Sequence, residues 1–180
     1  MDFYEEDKSL LQRIMNWMVD IILVVAFAWF TVYLFGTEVR IAGNSMAPAL
    51  ESGDVVLMNR LPGVLFGPDR FDLVVFQRED QKTNVKRVIG LPGETVQITG
   101  GYIYIDGELL EADDGLNEVS LAGLAEHPIT LGEDEYFLLG DNRDSSEDSR
   151  FINIGNVKRE QIIGNVWIRI LPVTRFGLTG

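Results

Sequence analysis

The chain contains no cysteine. That removes disulfide cross-links, a thiolate nucleophile and every Cys-ligated metal site, so packing alone must hold the fold. Histidine is nearly absent: His127 is the only one in 180 residues, which argues against multi-His metal sites and leaves a Ser-His-Asp triad with one possible base. Neither a metal nor another cofactor is expected. Positive charge is scarce as well. Fifteen Lys and Arg stand against 28 Asp and Glu, a net charge of -13 that is the wrong sign for a protein of phosphate backbones, so nucleic acid is excluded as a partner.

Long apolar runs are absent with one exception. Across residues 17–35 only Asp20 and Thr31 are not apolar. At 1.5 Å per residue this run spans roughly 28 Å, close to a hydrocarbon core of ~30 Å. It reads as one transmembrane helix, with Trp17, Trp29 and Tyr33 placed as interfacial rings near its ends. A buried core helix and a cleaved leader are the alternatives. Ala26-Phe27-Ala28 resembles a cleavage triplet, but the apolar run continues past it to Phe35, which favours a retained anchor. Lys8 and Arg13 before the helix, against Arg40 after it, favour a cytoplasmic N-terminus. The resulting division is a cytoplasmic tail over 1–13, a membrane helix over 14–36 and an extracytoplasmic domain over 37–180.

That domain reads as mainly β. Short β-rich segments at 55–58, 73–76, 85–89, 95–98, 102–105, 136–139 and 162–170 are separated by turn signals, among them Gly100-Gly101 and Asp106-Gly107, the second suited to a two-residue hairpin turn. The expectation is an antiparallel sheet. Residues 111–126 are acidic and lack a clear strand period, so they form either a loop insertion or one short helix. Asp113-Asp114 and Glu133-Asp134-Glu135 lack the ordered spacing of a calcium loop and read as solvated acids.

Three segments carry more chemistry than a β domain needs. Gly43-Asn44-Ser45-Met46-Ala47-Pro48 sets a small hydroxyl residue between a glycine and a proline, directly after the membrane helix; ordinary turns use the same types. In residues 84–94, Lys86 lies in a β-branched run, whereas Lys8, Lys82 and Lys158 sit among polar residues. On a strand, Lys86 and Val88 share one face while Val85, Arg87 and Ile89 share the other, so one of two adjacent cations points inward. A lysine snorkelling along an edge strand is the bland alternative. In residues 140–150, acids, arginines and hydroxyls alternate immediately after an apolar strand, a mixture able to lock a loop by charge-assisted bridges.

Taken together and in this order, the segments resemble the bacterial type I signal peptidases, membrane-bound Ser-Lys proteases. The ordered set comprises the membrane helix, Ser45-Met46 with Pro48, Gly53-Asp54-Val55-Val56, Asp72-Leu73-Val74-Val75-Phe76, Lys86-Arg87 through Gly93, and Gly140 to Arg150. The resemblance implies an antiparallel catalytic domain of that type with Ser45 as nucleophile and Lys86 as general base. It further implies that the Ser146 hydroxyl holds the lysine amine, that Asp141, Arg143, Asp148 and Arg150 form a charged scaffold beside the site, and that Met46 contacts substrate or membrane. The implied partners are preproteins emerging from the secretion translocon, cut after small residues at the first and third positions before the scissile bond, and the lipid bilayer.

The chain departs from the family pattern in places. Ala49 replaces the usual threonine, Glu94 replaces the usual aspartate, and Gly43 stands where some members carry an oxyanion-binding serine, so the Ser45 N–H needs another donor beside it. The 45 residues 95–139 between the last two motifs imply the compact form of the domain. An unperturbed lysine is neutral only about once in 2,500 molecules at pH 7, a handicap of roughly 4.6 kcal/mol for a base, so Lys86 must be desolvated. Burial and nearby cations such as Arg87 are expected to do this. Two rivals are a related Ser-Lys protease with another duty, such as pilus-component maturation or repressor self-cleavage, and a catalytically silent tethered module.

Overall fold

A computed structural model describes residues 3–61, 67–78, 81–111 and 119–179. The N-terminal helix α1 spans Phe3–Phe35, starting well before the apolar run. The added turns contain Glu5, Glu6, Lys8, Leu10, Leu11, Gln12 and Arg13, good helix formers without glycine or proline, so the helix extends through what the sequence suggests as a separate tail. Its Leu10–Phe35 portion, 26 residues, is long and apolar enough to cross a membrane, and none of its best apolar window is buried against the rest of the chain. Two of its last carbonyls find partners in the domain: the Arg60 N–H donates to Leu34 O at 2.9 Å and the Trp167 indole to Phe35 O at 3.2 Å.

The strands are β1 (Thr37–Arg40), β2 (Val55–Asn59), β3 (Leu73–Gln77), β4 (Thr83–Gly90), β5 (Thr95–Thr99), β6 (Tyr102–Ile105), β7 (Glu108–Leu109), β8 (Ile129–Thr130), β9 (Glu135–Leu139), β10 (Val157–Lys158), β11 (Ile162–Leu171) and β12 (Gly177–Leu178). Every pairing among the described residues is antiparallel. Eight strands form the larger sheet in the order β1-β2-β11-β3-β4-β9-β10, with β12 beside β11; the smaller sheet runs β7-β6-β5-β8. All seven segments read from the sequence are strands. Both two-residue turns are present, since Thr99 pairs with Tyr102 and Ile105 with Glu108. Positive φ at Gly100, Gly101, Asp106 and Gly107 is the sign that a type I′ hairpin requires.

β1, β7, β8, β10 and β12 are not evident from the sequence, because two to four residues carry too little alternation. Within 111–126, Gly123–Glu126 forms a single 3₁₀ turn; Asp113 and Asp114 lie outside the described residues. Two apolar layers flank the larger sheet near the site. One contains Ile41, Met46, Leu50, Val56, Met58, Leu73, Val75 and Val166; the other contains Val74, Phe76, Val88, Tyr136, Leu138, Val157 and Ile162. The central strand β4 lies between β3 and β9, with Val74 opposite Lys86.

Candidate active site

The turn after β1 carries Ser45. It folds back on itself through Ala47 N–H to Asn44 O and Leu50 N–H to Met46 O, which drives Met46 and Leu50 into the core. Gly43 has a φ of 84°, a value that favours glycine, and its N–H donates to Ser52 Oγ at 3.3 Å. Arg169 of β11 holds the far side of this turn, donating to Ala49 O at 2.8 Å and to the buried Asp54 at 3.3 Å. Arg175 donates to the other Asp54 oxygen at 2.6 Å.

Lys86 is 3% exposed and its Nζ lies 2.8 Å from Ser45 Oγ. Alternation along β4 explains the burial: Lys86 and Val88 are both buried on one face. Loss of water brings the amine down from 10.5 to about 8, with Arg78 acting in the same direction and Asp148, Glu147 and Asp141 opposing. At that value about one amine in ten is neutral at pH 7. The neighbouring cation that helps is therefore Arg78, beyond the end of β3. Arg87, expected from its adjacency, is instead committed to Asp141, donating through Nε at 2.8 Å and Nη2 at 2.7 Å, and to Phe71 O through Nη1 at 2.8 Å.

The loop after β9 closes the site. Asp148 and Arg150 are fully buried and bidentate, with Nε to Oδ1 at 2.8 Å and Nη2 to Oδ2 at 3.0 Å. Asp148 Oδ2 also accepts from Gly140 N–H at 3.0 Å, while Arg150 reaches the Leu121, Arg143 and Ser146 carbonyls, so one ion pair determines the course of the loop. Asn142 N–H donates to Ser45 O at 3.1 Å and ties this loop to the turn bearing the hydroxyl.

The structure thus brings Ser45 and Lys86 together, with Asp141, Asp148 and Arg150 in the supporting loop. Other expectations need correction. Ser146 Oγ is buried and has no hydrogen-bond partner among the described residues, so its expected bond to the amine is not formed; Nζ is directed to Ser45 instead. An unpaired buried hydroxyl costs about 1–3 kcal/mol. Arg143 is buried with all three guanidinium nitrogens unpartnered among the described residues, so there it is not paired with an aspartate as Arg150 and Arg87 are. Burial lowers its pKa to about 10, and Arg150 and Arg87 act likewise against Asp141 and Asp148.

Met46 is 1% exposed, too deeply packed to reach a bilayer, because the turn carrying it folds inward. It lines the base of a groove whose walls are Val39, Arg40, Ile41, Ala42, Val85 and their neighbours, and which runs up to Ser45. Residues overlooked at the sequence level are Gly140, Arg78 and Glu147. Gly140 and Glu147 had a signal, since both lie in the third motif; Arg78, 69 positions before Glu147, had none.

Comparison with known proteins places this geometry in context. The model of the family described as signal peptidase, peptidase S26, matches residues 14–171. A probable signal peptidase I-2 of Synechocystis sp. is 34% identical over 153 residues, covering 80% of this chain and 67% of that protein. A signal peptidase I of Leptolyngbya laminosa is 35% identical over 185 residues, covering 97% of this chain and 86% of that protein. Among solved structures, a signal peptidase I from Enterococcus faecalis V583 is 32% identical with a TM-score of 0.46, over 54% of this chain and 95% of that one.

Proposed function

The chain belongs to the S26 signal peptidase family, and on that premise we propose that it is a membrane-anchored serine endopeptidase with Ser45 as nucleophile and Lys86 as general base. The observation that carries this reading is the 2.8 Å approach of a nearly unexposed amine to a hydroxyl. The neutral amine takes the Ser45 proton as Oγ attacks the scissile carbonyl, and the resulting ammonium gives that proton to the departing amine of the mature protein. An acyl-enzyme remains. Lys86 then removes a proton from water, which attacks the ester and releases the signal peptide. The Ser45 N–H serves as one donor to the oxyanion. When Nζ turns away from the acylated Oγ, the buried Ser146 hydroxyl, in the loop after β9, serves as its acceptor. Asp148 and Arg150 hold that loop and transfer no proton.

The groove leading to Ser45 suits an extended peptide. Two short chain edges, 39–42 and 82–85, flank it, and Ile41, Ala42, Met46 and Val85 make its lining shallow and apolar, supporting a preference for small residues one and three positions before the cut. Helix α1 ends at Phe35, ten residues before Ser45, which keeps the dyad near the bilayer surface where exported preproteins leave the translocon. Residues 37–180 are assigned to the extracytoplasmic side of the cell membrane and the N-terminus to the cytoplasm, following Lys8 and Arg13. The test is cleavage of a preprotein by the detergent-purified chain. Cutting should follow an Ala-x-Ala segment, and Ser45→Ala and Lys86→Ala should each abolish it while the thermal unfolding transition persists. Undiminished cleavage by either variant refutes the assignment.

A further inference from the structure

Two charged residues outside the dyad and the scaffold pairs act on the Lys86 amine with opposite signs and are joined to each other. Arg78 follows β3, which pairs with β4 through the register Phe76 to Asn84 and Gln77 to Thr83. Glu147 stands in the loop after β9, between Ser146 and Asp148. Arg78 Nη1 meets Glu147 Oε2 at 2.7 Å, and Asn153 also donates to Glu147. The ion pair thus connects the strand beside Lys86 to the short segment that presents Ser146.

We propose that Arg78 and Glu147 form a positioning clasp for the base, whose opposed charges set the pH range over which the Lys86 amine can accept the Ser45 proton. This rests on the assignment of Lys86 as base. The charged groups acting on the amine are Asp148, Glu147 and Asp141 from the loop after β9 and Arg78 from the end of β3. Asp148 and Asp141 are each gripped by an arginine and are nearly unexposed, so their charges are countered locally. The Glu147 side chain is 53% exposed, and it can lose its charge without disturbing the core. Glu147 favours the ammonium and Arg78 disfavours it. While clasped, the two act in opposite directions; removing either charge leaves the other.

The experiment is the pH dependence of kcat/KM for peptide cleavage by the detergent-solubilised full chain, comparing wild type, Glu147→Gln, Arg78→Gln, the double variant and Arg78→Lys. Glu147→Gln should move the acidic limb down by roughly half a pH unit, and Arg78→Gln should move it up by a similar amount. The double variant and Arg78→Lys should lie near wild type. A merely structural pair would lower kcat/KM evenly and leave the limb in place. A limb that stays fixed, or moves the same way in both single variants, overturns the clasp. A wild-type profile with no acidic limb overturns the base assignment beneath it, so the two failures are distinguishable. If Arg78→Gln fails to fold, Glu147→Gln and Arg78→Lys still decide the matter: a limb unmoved by the first, or displaced by the second, refutes the proposal.

Discussion

A Cβ placed on Gly140 would stand 2.1 Å from Ser146 Oγ. The same atom would lie 2.5 Å from Ser45 O. Glycine at this position therefore lets the serine turn and the loop after β9 approach each other across the site, a closeness that any side chain would prevent. Because Asn142 N–H also donates to Ser45 O, the two segments behave as one unit.

Gly140→Ala should accordingly separate Ser146 from the dyad and cut kcat/KM by about 100-fold, the scale of loss that small misplacements of reacting groups produce. Steady-state cleavage of a peptide substrate is the measurement. Activity within a factor of a few of wild type would mean that the close packing has no catalytic consequence.

Asp148→Asn should act on stability first. It leaves Arg150 charged, fully buried and without its carboxylate, a change that typically costs 3–5 kcal/mol. Chemical denaturation of the detergent-solubilised chain should show a clearly lower midpoint with an unchanged slope. A midpoint equal to that of wild type would show that the pair does not organise the loop.

Lys86 also makes stability depend on pH. Its folded value of about 8 lies below the ordinary 10.5, so between these values the unfolded chain binds more protons and stability rises with pH through that window. Below pH 8 the folded protein bears the full cost of holding the ammonium in a dry site, on the order of 3 kcal/mol. Lys86→Met should therefore gain stability relative to wild type at pH 7, and the gain should shrink towards pH 10. Thermal unfolding of both proteins at the two pH values checks this; a pH-independent difference between them would contradict it.

Much of this architecture was legible in the sequence, and the reasons are local. Asp106-Gly107 and Gly100-Gly101 announced their hairpins because few residue pairs tolerate positive φ twice in succession. Lys86 stood out because it lies in a β-branched run while the other three lysines sit among polar residues; alternation said only that it or Arg87 points inward. What stayed hidden was non-local. The partnership of Arg87 with Asp141 spans 54 positions, and adjacency suggested instead that Arg87 acts on Lys86. Met46 was expected at substrate or membrane only from the family resemblance; the bond from Leu50 N–H to Met46 O turns it inward. The meeting of Ser45 with Lys86, 41 positions apart, could be anticipated only from the family resemblance, since no periodicity relates a turn to a distant strand.

The central claim is that burial makes the Lys86 amine a base at moderate pH, and direct titration of that nitrogen tests it most closely. The chain has only Lys8, Lys82, Lys86 and Lys158, so ¹⁵N-labelled lysine observed by NMR, with Lys86→Met to assign the signal, isolates the group. The Lys86 midpoint should lie near 8. A midpoint near the ordinary lysine value of about 10.4 would contradict it.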